Sequence, residues 1–242
     1  MKKLLALPFV FAATTVAADD IAYEYGFDRV QATSGGGYTH NAYASYAYTW
    51  DHLLIAQADT ALSRFSDSGH NDSSVALHAS YYLTDNFRMG GYLGWEEFDH
   101  EASDFIYHGF EFEILTDQGS ISLFGGKDGD DGFPASDNVQ FGATIKIDAT
   151  DRLTLVGRGL MRDNDALDLF TTVIGAGIDY EMANGVTLSG ELVNWDRKVS
   201  WAAYDSGMGI SLGAKMAVGR DGILMPQRNS VTNTFGSEFK YP

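Results

Sequence analysis

From Ile21 to Val218 the chain holds no helical period for long; apolar and polar residues alternate instead, in about twelve short segments. Period two is the signature of a strand with one face in an apolar medium and the other in a polar one. The segments run roughly 21–33, 38–50, 53–65, 74–84, 87–99, 105–116, 119–127, 139–149, 152–163, 168–182, 186–197 and 203–218. In Val75-Ala76-Leu77-His78-Ala79-Ser80-Tyr81-Tyr82-Leu83 the odd positions read Val, Leu, Ala, Tyr, Leu and the even ones Ala, His, Ser, Tyr. Most segments exceed the five or six residues usual in soluble sheets and are long enough to cross a bilayer at a tilt.

Ahead of these strands, Lys2 and Lys3 precede the short apolar run Leu4 to Ala13. Val16-Ala17-Ala18 then meets the acidic pair Asp19-Asp20. That order predicts a secretory signal peptide over 1–18, too short to span a membrane as a helix. Its removal takes two lysines, so 16 bases fall to 14 against 33 acids and the formal charge moves from −17 to −19. Such a balance speaks against nucleic acid or an anionic lipid surface as partner. There is no cysteine, so an exported chain of this kind draws its stability from packing, sheet closure or the bilayer. No later stretch approaches eighteen consecutive apolar residues, so membrane insertion would take the form of a barrel.

The connections alternate in length. Trp50-Asp51-His52, Thr84-Asp85-Asn86, Thr116-Asp117-Gln118-Gly119, Ala149-Thr150-Asp151 and Met182-Ala183-Asn184-Gly185 are tight turns. The other set is mostly longer, acidic or glycine-rich: 66–73, 100–104, 128–138, 163–168 and 198–203, with the short 34–37 as its first member. Short turns on one rim and longer loops on the other describe periplasmic and extracellular ends. The parity agrees, because a chain delivered from the periplasm sends its first strand outward.

Splitting the strands by parity predicts a lipid face that includes Tyr46, Tyr48, Trp50, Val75, Leu77, Phe110, Phe112, Ile145, Ile174, Ile210 and Leu212. Aromatics gather near strand ends, at Trp50, Tyr81, Phe87, Trp95, Phe105 and Tyr180, where a ring meets the interface. The opposite parity carries the charge: Asp59, Arg88, Glu96, Glu111, Glu113, Lys146, Arg158, Asp179, Glu181, Glu191 and Lys215, with Gln57, His78, Tyr82, Tyr92 and Gln140. Burying so many charges in a dry core costs several kcal/mol each unless they are paired or wet. A hydrated lumen removes that cost, and these eleven are the expected lumen and selectivity residues.

Together the signal peptide, alternating strands, Thr-Asp-Asn and Ala-Asn-Gly turns and aromatic strand ends resemble the bacterial outer-membrane β-barrels, in particular porin-like members of about twelve strands. The resemblance implies an all-β, closed, antiparallel up-and-down transmembrane barrel over 19–218. It also implies an outer-membrane location, lipid as surroundings, and delivery by the outer-membrane insertion machinery. Such barrels close on a strand patterned polar-x-Gly-x-x-apolar-x-apolar, and Ser211-Leu212-Gly213-Ala214-Lys215-Met216-Ala217-Val218 fits it. Thr234 to Tyr241 fits too, but the chain ends in Pro242 where the class often has Phe. The expectation is twelve strands with 219–242 as a C-terminal tail, or fourteen if that tail pairs.

No nucleotide loop, HExxH, GxSxG or cysteine cluster is present, and no cofactor is implied. Gly125-Gly126-Lys127 is followed by Asp, not Ser or Thr. Lys127 to Gly132 looks superficially like a calcium loop but lacks its closing glutamate, leaving at most a loose divalent-cation site. His78 and Ser80 share one face of a strand, roughly 7 Å apart, beyond direct activation of the serine. The sequence therefore points to a non-enzymatic monomeric channel for ions or small polar solutes with a net acidic lumen. The alternative is a non-conducting barrel whose acidic outer loops bind a partner or divalent cations.

Overall fold

The computed structural model describes residues 21–33, 38–50, 53–66, 71–98, 105–130, 133–164, 169–199 and 202–219. The expected signal peptide, the 220–242 segment and His70 and His100 lie outside them. Twelve strands are described: β1 (Ile21–Ala32), β2 (Tyr38–Trp50), β3 (Leu54–Phe65), β4 (Asn71–Thr84), β5 (Phe87–Phe98) and β6 (Phe105–Thr116). They continue as β7 (Gly119–Asp130), β8 (Phe133–Thr150), β9 (Leu153–Asn164), β10 (Leu169–Glu181), β11 (Val186–Val199) and β12 (Ala202–Gly219). Each pairs antiparallel with its sequence neighbours, and β12 returns to β1 from Ala22↔Gly219 to Ala32↔Gly209. That seam closes the sheet with the twelve described strands. Closure satisfies every strand edge, which a bilayer demands because it offers no water to unpaired amides.

Three of the tight turns share one design. Thr84-Asp85-Asn86, Thr116-Asp117-Gln118 and Thr150-Asp151-Arg152 each end a strand on threonine. Its hydroxyl accepts the N–H two residues on, from Asn86, Gln118 and Arg152 at 3.4, 3.3 and 3.3 Å. This is the local hydrogen bond that makes Thr-Asp-polar a turn former. The fourth turn uses Asn184, whose side-chain oxygen accepts from Val186 N–H at 3.2 Å, and Gly185 at φ +80°.

Three strands reach clearly further than their sequence pattern indicates. The stretch 128–138, read as an acidic loop, is largely ladder: β7 runs to Asp130, β8 starts at Phe133, and one irregularity falls between Asp128 and Asp130. β4 likewise begins at Asn71 rather than 74. Backbone pairing needs no apolar side chains, so a hairpin continues past the point where alternation stops marking it.

The outer face is apolar along the strands. Phe110 is 67% exposed, with Phe27, Leu62, Phe141, Ile174, Leu192 and Leu212 similarly open. A contiguous apolar exterior of this extent is intolerable in water and is the surface of a membrane-spanning barrel. Toward the short-turn rim Tyr48 and Trp50 meet edge to face at 4.5 Å and Phe87 stacks on Phe112 at 6.4 Å.

Candidate functional site: the barrel lumen

Inward side chains fall into two groups that differ in packing. The first covers the wall from β3 to β7. His78 of β4 stands between two carboxylates, its Nε2 3.0 Å from Asp59 Oδ2 and its Nδ1 3.0 Å from Glu111 Oε1. An imidazole flanked this way satisfies both carboxylates only when both nitrogens carry hydrogen. Gln57 donates its amide to Asp59 Oδ1 at 2.8 Å. Beside this row the Arg88 guanidinium donates to Glu113, which also accepts the Ser122 hydroxyl at 3.0 Å. Arg88 and Glu111 are 0% exposed. A charge so buried persists only with partners in place, and here Arg88 holds Glu113 while His78 is shared between Asp59 and Glu111.

The second group converges from β8 to β12 and from β1. Lys215 of β12 lies 3.0 Å from Asp179 of β10 and 3.8 Å from Glu24 of β1. Arg158 of β9 sits 3.7 Å from Glu191 of β11, with 34% of its side chain exposed. Lys146 of β8 is within electrostatic reach of Lys215, Arg158, Glu24 and Asp179. Asp28 of β1 accepts the Asn41 amide at 2.6 Å and feels the charges of Arg158 and Glu191. The ion pairs of this group are more exposed than those of β3–β7, as expected of charges still partly solvated.

Of the eleven residues singled out by parity, Asp59, Arg88, Glu111 and Glu113 lie in the first group. Lys146, Arg158, Asp179, Glu191 and Lys215 lie in the second. Glu96 is buried farther along β5. Glu181 is exposed at the end of β10, beside the turn and outside either group. The sequence reading left out Glu24, Asp28, Asn41 and Tyr43. The first two were legible, since Tyr23-Glu24-Tyr25-Gly26-Phe27-Asp28 alternates as clearly as any strand. His78 was placed on the inward face, but its two carboxylate partners, on different strands, were not foreseeable. With both its nitrogens turned to carboxylates, His78 has none left for Ser80. Among the described residues no cluster of His, Asp and Glu could hold a metal ion. The loop-like stretch 127–132 reaches outside the described residues.

Large lumen side chains lie along the wall over glycines. Tyr43 pairs directly with Gly26, Tyr107 with Gly94, Tyr92 with Gly109, Phe124 with Gly142 and Trp195 with Gly207. In each case a Cβ on the glycine would stand within 2.6 Å of the neighbour's side chain. The missing side chain lets a ring fold sideways instead of projecting into the bore. Tyr92, Tyr107, Phe124, Leu160, Val173 and Trp195 form one connected apolar belt on this surface.

No protein-family model matches the chain, and no curated protein matches it. Solved structures do. The KdgM porin superposes with TM-score 0.62 at 8% identity, covering 80% of this chain and 98% of that one. The NanC porin gives 0.60 at 10% identity, covering 81% and 98%. An outer membrane channel from Pseudomonas putida F1 gives 0.58 at 9%, covering 82% and 95%. The chain has the outer-membrane porin fold. At these identities the porin likeness is one of architecture: strand number, closure and the sorting of apolar residues outward. The lumen side chains of this porin-fold barrel are its own, and its chemistry has to be read from them.

Proposed function

We propose that this protein is a bacterial outer-membrane channel passing ions or small polar solutes through a charged, net acidic lumen. The observation that carries the reading is the second lumen group, where Lys146, Arg158, Lys215, Glu24, Asp179 and Glu191 converge without being fully buried. Charges that are only part-buried are what a water-filled passage requires, since hydration supplements the partners a dry core must supply in full. The chain acts as a single barrel delivered by the insertion machinery, and no catalytic step is assigned to it.

The test is single-channel conductance of the refolded mature chain in planar bilayers, with reversal potentials in asymmetric potassium chloride. Steady steps with a modest cation preference support the reading. A folded barrel that stays silent removes it.

A second reading has an observation of its own. The inward residues of β3–β7 are almost fully buried, Asp59, Ser80, Arg88, Glu111 and Ser122 among them. A barrel filled in this way serves as a sealed scaffold whose outer loops act on a partner or on cations. Silence in the bilayer together with cation or partner binding to the intact barrel favours it.

A further inference from the structure

The two lumen walls differ in how deeply their charged side chains are buried. The β3–β7 wall is closed by its own pairs, leaving the Lys146 side as the partly open surface. On that side Lys215 has Asp179 and Glu24, Arg158 has Glu191, and Asp28 has Asn41. Lys146 differs. Among the described residues its ammonium makes no hydrogen bond or ion pair; Lys215 and Arg158 repel it and Glu24 and Asp179 attract it from a distance. An ammonium held at a lumen wall without a carboxylate partner keeps its capacity to attract an anion.

Resting on the channel reading above, we propose that Lys146 is the specificity-determining residue of the passage. It draws chloride or the carboxylate of a small solute into the β8–β12 side, and the carboxylates of the β3–β7 wall take no part in selection. The acid surplus over the whole lumen therefore overstates the cation preference of the pore. Asp59, Glu111 and Glu113 are buried behind the partners they touch, whereas the part-buried Lys146 has no carboxylate in contact.

Two measurements on the intact barrel test this. The chain has no cysteine, so single cysteines report access to water cleanly. Lys146→Cys is expected to react readily with a small charged thiol reagent in the folded barrel, while the near-isosteric Ser122→Cys on the β3–β7 wall stays inert. In asymmetric potassium chloride, Lys146→Gln is expected to raise the cation-to-anion permeability ratio about threefold, and Lys146→Arg to leave it near the parent value. An inert Lys146→Cys beside a reactive Ser122→Cys overturns the assignment of the open wall. Ready thiol reaction with an unchanged permeability ratio in Lys146→Gln overturns the selectivity role alone. A barrel that carries no current removes the channel reading, and Lys146's role with it. The thiol result then still decides which wall faces water.

Discussion

Tyr43 and Gly26 are direct partners across the β1–β2 ladder, and the tyrosine ring occupies the space a side chain on the glycine would need. A Cβ there would stand 2.6 Å from Tyr43 Cζ and Oη and 2.8 Å from Lys215 Cβ. Gly26→Val forces the ring off the wall and crowds Lys215. The expected cost is about 1–3 kcal/mol, the usual range for overpacking. Urea unfolding in detergent, followed by the gel shift between folded and heated barrel, reads it directly.

Gly157 is the matching control, because nothing lies within 4 Å of where its side chain would begin. It faces outward on β9, between the lipid-facing Leu155 and Gly159. Gly157→Ala is expected to be neutral or to stabilise by roughly 0.5–1 kcal/mol, since glycine inside a strand carries an entropic cost. A loss comparable to that of Gly26→Val in the same assay would count against this placement.

The Arg88–Glu113 pair predicts a non-additive result. Arg88→Met leaves Glu113 buried beside Ser122 without a cation, at an expected cost of about 3–5 kcal/mol. The double variant Arg88→Met/Glu113→Met is expected to regain most of it, because replacing both charges removes the desolvation penalty as well as the attraction. A double-mutant cycle on unfolding free energies checks this, and additive losses would mean the two side chains do not work as a pair.

On the outer face the cost of a charge depends on depth. Phe110 lies mid-strand in β6 and is among the most open apolar residues, whereas Trp50 ends β2 beside the turn. Phe110→Arg is expected to cost roughly 2–4 kcal/mol in a bilayer, and Trp50→Arg about 0–1 kcal/mol beyond the loss of the ring itself. Unfolding titrations in lipid vesicles, not in detergent alone, separate the two.

Strand count, inside and outside were all legible in the residues, for a geometric reason. Side chains on a strand alternate with period two, so any segment with one face in lipid writes that face into its sequence. Leu77 and His78, or Ile145 and Lys146, are sorted by parity alone. Turn chemistry was equally local: Thr84, Thr116 and Thr150 each bond a backbone N–H two residues away. Where locality ends, so does legibility. The length of the β7–β8 hairpin depended on backbone pairing that polar side chains do not advertise.

The sequence by itself determined that this is a closed barrel with charge turned inward, because alternation and loop sorting are properties of neighbouring residues. Only the tertiary structure decided what those charges do to one another. His78 and Glu111 are 33 positions apart, yet the stagger of β4 against β6 sets them in contact. Lys215 reaches Glu24 because the last strand closes on the first. The same stagger seals Glu111 behind its partners and leaves Lys146 without one among the described residues. Parity says which way a side chain points; the registers of twelve strands around a closed circuit say what it meets.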